Sequence, residues 1–285
     1  MAIDQSEAAT SAAPPTTTAQ APARSARNGA GWGKRMWSLP GVLLLILAWE
    51  LVPRLSGSGS FPPLSAVLSE LGEQMTTGRF WTYVVSTMRT WAIGLVVATV
   101  VGVGLGFLLG TFPRVERYTR SMVEFLRPIP SVALIPAVIL LFGTKFESGV
   151  VLITYAAVWP MLLQTLFGLN DLDSVAKDTA SSYRFSRWGY MRHVQWPSLM
   201  PPLFTGVRLA ASIALVLAIT GEMVIGTVGL GQGITVAQTS GATSTVYALV
   251  LVSGLMGLAV NQLARVAEKR LLWWHPMIRN AAKEN

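Results

Sequence analysis

The chain has 285 residues, of which 52% are hydrophobic and only 13% charged, with a formal net charge of +8 and no cysteine. A soluble domain carries about 25% charged residues, so this composition excludes an ordinary soluble fold, and the missing thiols exclude disulfides and cysteine catalysis. The charge deficit is concentrated in runs of about 20 nearly uncharged residues, each long enough to cross a bilayer core of about 30 Å as a helix. The segments of about ten alternating residues that mark a membrane barrel are absent. The expected fold class is therefore all-α: a polytopic membrane protein with about six transmembrane helices.

Residues 1–31 are rich in Ala, Thr, Ser and Pro and lack periodicity, so a disordered tail is expected there, ahead of a membrane domain over 32–285 with its core at about 80–270. Arg24, Arg27, Lys34 and Arg35 precede the first apolar run, Leu39–Val52. A cleaved signal peptide is the competing reading. Trp49, Glu50 and Pro53 make a poor small-residue cleavage site, which favours a retained span.

The second expected span, Thr90–Phe112, carries Gly94, Ala98, Gly102, Gly106 and Gly110 at four-residue intervals. Such a ladder lets another helix approach closely. It serves either ordinary packing within the chain or a moving surface. The third span, Pro128–Gly143, is interrupted by Pro128, Pro130 and Pro136 and should be bent. Glu124 and Arg127 are three residues apart, a spacing that suits a local ion pair. Gly149–Leu169 is the fourth span.

Residues 171–202 form a polar, basic island that the membrane cannot hold. Asp173 suits an N-cap. Leu172, Val175, Ala176, Thr179, Ala180 and Tyr183 recur at helical spacing on one weakly apolar face, and Lys177, Asp178, Ser181 and Arg184 face away. A second short helix is expected from Ser186 as N-cap, with Phe185 and Tyr190 as a hydrophobic staple and Pro197 as its stop. The island reads either as an interfacial helix on lipid headgroups or as a knob that fits a soluble partner.

The fifth span, Leu199–Gly221, has a small-residue ladder of Gly206, Ala210, Ala214 and Ala218 that ends at Glu222. Arg208 lies near one end, where it can snorkel to water; Arg89, on the opposite side, reads as an interfacial anchor or an anion attractor. An acidic group at a span end needs a partner or water. Glu222 therefore reads as a gating or pathway group, or as a structural acceptor for loop backbone. Residues 225–244 are glycine-rich and uncharged and read as a mobile outer connection before the sixth span, Thr245–Leu263. Gly229, Gly231 and Gly233 lack the lysine and preceding strand of a phosphate loop, so the chain itself should not bind ATP.

The basic residues set an orientation. With the N-terminus inside, sixteen of them fall in inner segments, whereas only Arg54, Arg79, Arg89 and Lys145 fall outside. This asymmetry places both termini and the 171–202 island in the cytoplasm, and it accounts for the positive charge without nucleic acid.

The run Asp178, Thr179, Ala180, Ser181, Ser182, Tyr183, Arg184, Phe185 and Ser186, followed by Trp188, His193, Val194, Trp196 and Pro197, resembles the cytoplasmic coupling loop of bacterial ABC-importer permeases. Four other stretches resemble the nitrate/sulfonate/taurine/bicarbonate branch of that family. They are Ser86–Arg89 with Gly94; Arg127–Pro136 with Phe142 and Gly143; Gly206–Arg208; and Gly221–Met223 through Gly229–Gly231. All lie in the expected order over about residues 60–270. There are departures: the leading Glu of the loop is Asp178, and its usual turn glycine is Arg184. An arginine takes a positive φ only at a cost, so either the turn is built differently or strain is tolerated.

The resemblance implies a type I importer permease: a non-catalytic inner-membrane subunit that pairs with a second copy, commonly identical. The loop at 171–198 would dock two cytoplasmic ATPase subunits, which hold the ATP and Mg; this chain would bind no cofactor. A periplasmic or lipid-anchored binding protein would deliver the substrate. Pro130, Pro136, Ala214, Ala218, Glu222 and Met223 are the pathway and gating candidates. The branch implies a small anion such as an alkanesulfonate, taurine or nitrate, with a neutral heterocycle such as a thiamine-precursor pyrimidine as the alternative. An intramembrane enzyme would need convergent acids, nucleophiles or metal ligands, and the only histidines, His193 and His275, stand apart from any such cluster. A channel or secondary transporter would leave the loop unexplained.

Overall fold

The computed structural model describes residues 30–57 and 59–273. Most of the expected tail, residues 1–29, lies outside that range, as do His275, Arg279 and Lys283. The chain divides into two units, residues 1–48 and 49–285. Helix α1 (Ala30–Ser56) contains the expected first span. Its later part belongs to the second unit, where Trp49 stacks on Phe61 with ring centroids 6.3 Å apart. Glu50 accepts the Ser65 N–H at 2.9 Å at the start of α2 (Leu64–Met75) and also pairs with Arg54.

Helix α3 (Gly78–Thr111) starts where the Thr77 hydroxyl accepts the Phe80 N–H at 3.3 Å. It ends at Phe112, held extended by the proline that follows. Pro113 then opens α4 (Pro113–Leu126), an amphipathic helix with no buried residue. A single 3₁₀ turn, Ser131–Leu134, leads into α5 (Ile135–Phe142). The two arms meet at 86°. The expected proline bend is therefore a true break. Eight residues of α5 rise only about 12 Å, less than a bilayer core, so the pair can cross only together.

Helices α6 (Phe146–Asn170), α9 (Trp196–Ile225) and α11 (Thr243–Leu271), with α3, complete the described spans. The main core lies between α3, α6 and α9, around Ala98, Ile153, Met161, Leu199 and Ala214. The glycine ladder of α3 sets how closely its neighbour sits. A Cβ on Gly102 would stand 2.5 Å from the Met161 Cβ, and one on Gly106 would stand 2.5 Å from the Thr165 Cβ. This ladder packs against α6 of the same chain. Large apolar side chains such as Val100, Leu140, Val216 and Leu258 stay exposed. Lipid or a partner subunit can cover such a surface.

Between α9 and α11 lies α10 (Leu230–Thr239), in the stretch expected to be a mobile connection. Leu230, Gly231, Gly233, Ile234 and Ala237 are buried, so this segment is a packed helix rather than an open loop. Burial of one face outweighs the poor helix propensity of its glycines.

Candidate functional site

The polar island folds as a helix–turn–helix. Helix α7 (Ser174–Ser182) is capped by Asp173, whose Oδ1 accepts the Val175 N–H at 2.9 Å, as expected. Its end is closed by two bonds. Phe185 N–H donates to the Ala180 carbonyl at 3.0 Å, and Arg184 N–H donates to the Ser181 carbonyl at 3.0 Å. This pair defines a Schellman turn, whose C′ residue takes a left-handed conformation and is usually glycine. Here it is Arg184, with φ +51°, the one non-glycine with positive φ among the described residues. The turn is thus built in the ordinary way with an arginine, at a cost of about 1–2 kcal/mol.

Ser186 caps α8 (Arg187–Tyr190) through its Oγ, which accepts the Gly189 N–H at 3.1 Å. The ring that Phe185 meets is that of His193, edge to face at 6.2 Å, rather than the expected staple partner Tyr190. Pro197 does not stop the helix. A π turn, Met191–Gln195, precedes it, and the helix continues into α9 through Pro197, Pro201 and Pro202. The extra residue of the π turn shifts the hydrogen-bond ladder, so the missing proline N–H falls where the register is already broken.

Of the expected apolar face of α7, only Ala180 is buried, at 5% exposure, with Leu172 and Ala176 half-buried. Val175 and Tyr183 are 67% and 75% exposed, and Trp188 is 65% exposed. Asp178, Thr179, Ser181, Ser182, Arg184 and Ser186 are exposed, and Pro197 is half-buried. Both short helices of the loop are capped, and Val175, Tyr183 and Trp188 are left largely exposed.

The pathway candidates are scattered. Pro130 and Pro136 are exposed at the broken span, whereas Ala214 and Ala218 lie in the core among α9's own neighbours. Met223 packs beside Leu230 and Ile234. Glu222 is 2% exposed. Its Oε2 accepts from Thr87 Oγ1 at 2.9 Å and from Gly231 N–H at 3.0 Å, while its Oε1 has no partner. The carboxylate thus caps the start of α10, the loop-backbone role weighed for it. Gly229 and Gly231 admit it: a Cβ at Gly229 would lie 2.1 Å from the Glu222 Cδ, and one at Gly231 would lie 2.0 Å from the Ile219 carbonyl oxygen.

Three other charged residues found partners. Glu124 pairs with Arg120 at 2.9 Å, not with Arg127, because the four-residue spacing aligns the side chains better on α4. Arg208 pairs with Glu268 of α11 at 3.6 Å. The Arg89 guanidinium lies 4.8 Å over the Phe146 ring.

Residues 98–273, which include the end of α3 and all of α4 to α11, match the family described as the binding-protein-dependent transport system inner membrane component. The chain belongs to that family. It is an ABC-importer permease, a multi-pass inner-membrane protein of a family whose members are non-catalytic transmembrane subunits working with an ATPase and a binding protein. The permease is 28% identical over 201 residues to the nitrate import permease protein NrtB of Leptolyngbya laminosa, covering 70% of this chain and 72% of that one. It is 26% identical over 247 residues to the bicarbonate transport system permease protein CmpB of Synechococcus elongatus, covering 82% and 88%. Among solved structures, an amino acid ABC transporter chain overlays with a TM-score of 0.56 at 16% identity, covering 70% of the permease and 97% of that chain. That likeness shows the fold.

Sequence reasoning missed Thr87, which donates to Glu222 and accepts the Leu230 N–H, because it lies 135 positions from that carboxylate. It also missed Tyr155, whose hydroxyl donates to the Leu126 carbonyl at 2.8 Å and ties α6 to the end of α4. A tyrosine inside an otherwise apolar span was the available signal, because a buried phenol seeks a partner.

Proposed function

We propose that this permease imports a small oxyanion such as nitrate or an alkanesulfonate, and that its 171–198 loop is the element through which a cytoplasmic ATPase drives it. Two identical copies form the route, each docked on one ATPase subunit, with both termini in the cytoplasm. The observation that carries the coupling role is the capped helix–turn–helix itself, which holds Val175, Tyr183 and Trp188 outside any core of the chain. An apolar, aromatic knob fixed at both ends suits a groove on a soluble partner, since interface anchors are typically rigid aromatics. A stiff element also transmits displacement instead of bending. The residues proposed for this docking are Asp178 to Ser186, with Pro197 at the entry to α9. Pro130, Pro136, Ala214, Ala218, Glu222 and Met223 remain proposed for the route and its gating. The oxyanion rests on the relatives named for nitrate and bicarbonate.

The test is co-purification in mild detergent. The ATPase should accompany the wild-type permease and be lost from Ala180→Trp and Asp178→Arg variants that still insert. Full ATP-driven uptake by those variants would overturn the docking role. A permease that moves solute in liposomes with no ATPase present would point to a channel or secondary carrier.

A further inference from the structure

We propose that a cavity beside the broken span is an oxyanion-binding station on the transport route, with Arg127 and Trp159 as its anion donors. The proposal deepens the oxyanion reading above and rests on it. The cavity has a volume of 450 Å³, and Arg127, Ser131, Trp159 and Gln164 supply its polar groups. Leu209 and Ile213 of α9 form an apolar wall. Binding sites for small molecules have this size and this mix of apolar walls and a few convergent polar groups.

The chemistry of the donors selects an anion. The guanidinium and the indole N–H can only donate, whereas Ser131 and Gln164 can donate as well as accept. No carboxylate lines the cavity. The Trp159 Nε1–H is buried and has no hydrogen-bond partner. A buried donor left unpaired is costly, and one retained in a cavity calls for an acceptor. Arg127 is an exposed residue, and among the described residues its guanidinium is also free of an ion pair. Glu124, three residues earlier, bonds to Arg120 at 2.9 Å, and Arg127 has no carboxylate partner among the described residues. A guanidinium presents paired N–H groups that match the oxygens of a planar or tetrahedral oxyanion.

Both donors are held by one residue. The Tyr155 hydroxyl grips the Leu126 carbonyl at 2.8 Å, which fixes the backbone that carries Arg127. The Tyr155 ring meets Trp159 edge to face at 5.8 Å and 86°, which fixes the indole. The site is thereby built before any ligand arrives. Arg127 and Ser131 also bracket Pro130, so a movement of the broken span would change the distance between the donors. The apolar wall suits a short alkyl tail, and the modest number of donors suits a station that an ion must also leave.

The test uses the intact permease–ATPase complex in lipid nanodiscs, titrated calorimetrically with sodium methanesulfonate and with sodium nitrate in a chloride background. Trp159→Phe keeps the ring and removes the N–H; Arg127→Gln removes the charge, and Arg127→Lys restores it without the fork. Each of Trp159→Phe and Arg127→Gln should weaken binding about tenfold, the usual effect of losing one hydrogen bond to a charged group. Arg127→Lys should recover part of the loss, and Arg117→Gln, on α4 but outside the cavity lining, should bind as wild type. Retained ATPase in each preparation verifies assembly. Wild-type affinity in both Trp159→Phe and Arg127→Gln, or no oxyanion binding by the wild-type complex, overturns the station. If labelled nitrate or methanesulfonate is nonetheless taken up by proteoliposomes, the oxyanion reading stands without this site. If only a neutral solute is taken up, the oxyanion reading fails, and the station fails with it.

Discussion

Thr87 and Glu222, 135 positions apart, meet through a 2.9 Å hydrogen bond, and the same Thr87 hydroxyl oxygen accepts the Leu230 N–H at 2.9 Å. One hydroxyl thus joins α3, the end of α9 and the first turn of α10. With the Gly231 N–H on Glu222, two of the free backbone donors at the start of α10 are satisfied by side chains from other helices. Thr87→Val removes the donor and the acceptor at once and should destabilise the permease by about 1–3 kcal/mol. Thr87→Ser should be close to wild type. Thermal unfolding in detergent distinguishes them, and equal melting of all three would show the junction to be dispensable.

Gly231→Ala should be more damaging than either, because its Cβ would fall 2.0 Å from a backbone carbonyl oxygen that cannot rotate away. Gly104→Ala, with nothing within 4 Å of its Cβ, is the control and should be neutral or slightly stabilising. Yield of monodisperse protein and melting temperature provide the measurement. Tolerance of Gly231→Ala would mean that α10 does not sit where the buried carboxylate requires.

The close approach of α3 and α6 gives a third expectation. Gly106→Val must displace the Thr165 side chain and α6 itself, costing at least the about 1–3 kcal/mol of an overpacked core. Gly41→Val, a glycine of α1 with nothing within 4 Å of its Cβ, tests whether β-branching alone is responsible. Comparable loss in both would assign the effect to helix propensity instead of to helix contact.

Arg184→Gly should stabilise the loop at 171–198. The left-handed φ of +51° costs an arginine about 1–2 kcal/mol, part of which glycine gives back through its floppier unfolded chain. A net gain of about 0.5–1 kcal/mol, with unchanged ATPase co-purification, is the expected outcome. Hydrogen exchange of the Phe185 amide, which closes the turn, gives the readout; faster exchange in the glycine variant would contradict it.

The Arg208–Glu268 pair at 3.6 Å links α9 to α11 with both side chains partly exposed. A double-mutant cycle with Arg208→Gln and Glu268→Gln should give a coupling of about 0.2–1 kcal/mol that shrinks in high salt. A salt-independent coupling would show the pair to be shielded from water in the assembled transporter.

The sequence by itself located the long membrane helices α3, α6, α9 and α11, because burial in lipid demands long apolar stretches, but it did not show that the third span is two arms meeting at 86°. It also determined the two caps at Asp173 and Ser186, since a cap is a contact between residues two or three apart. The glycine ladder of α3 was legible as a contact surface, though its partner α6 was not named by any local rule. Only the tertiary structure decided that the glycine-rich stretch after Glu222 is a buried helix, that Pro197 is carried inside a helix by a π turn, and that Tyr155 orders Arg127 and Trp159 around one cavity. The first and last depend on groups brought together across tens of residues, where packing and hydrogen-bond satisfaction outweigh the propensity of any short segment, whereas the π turn is a local shift of register that composition does not announce.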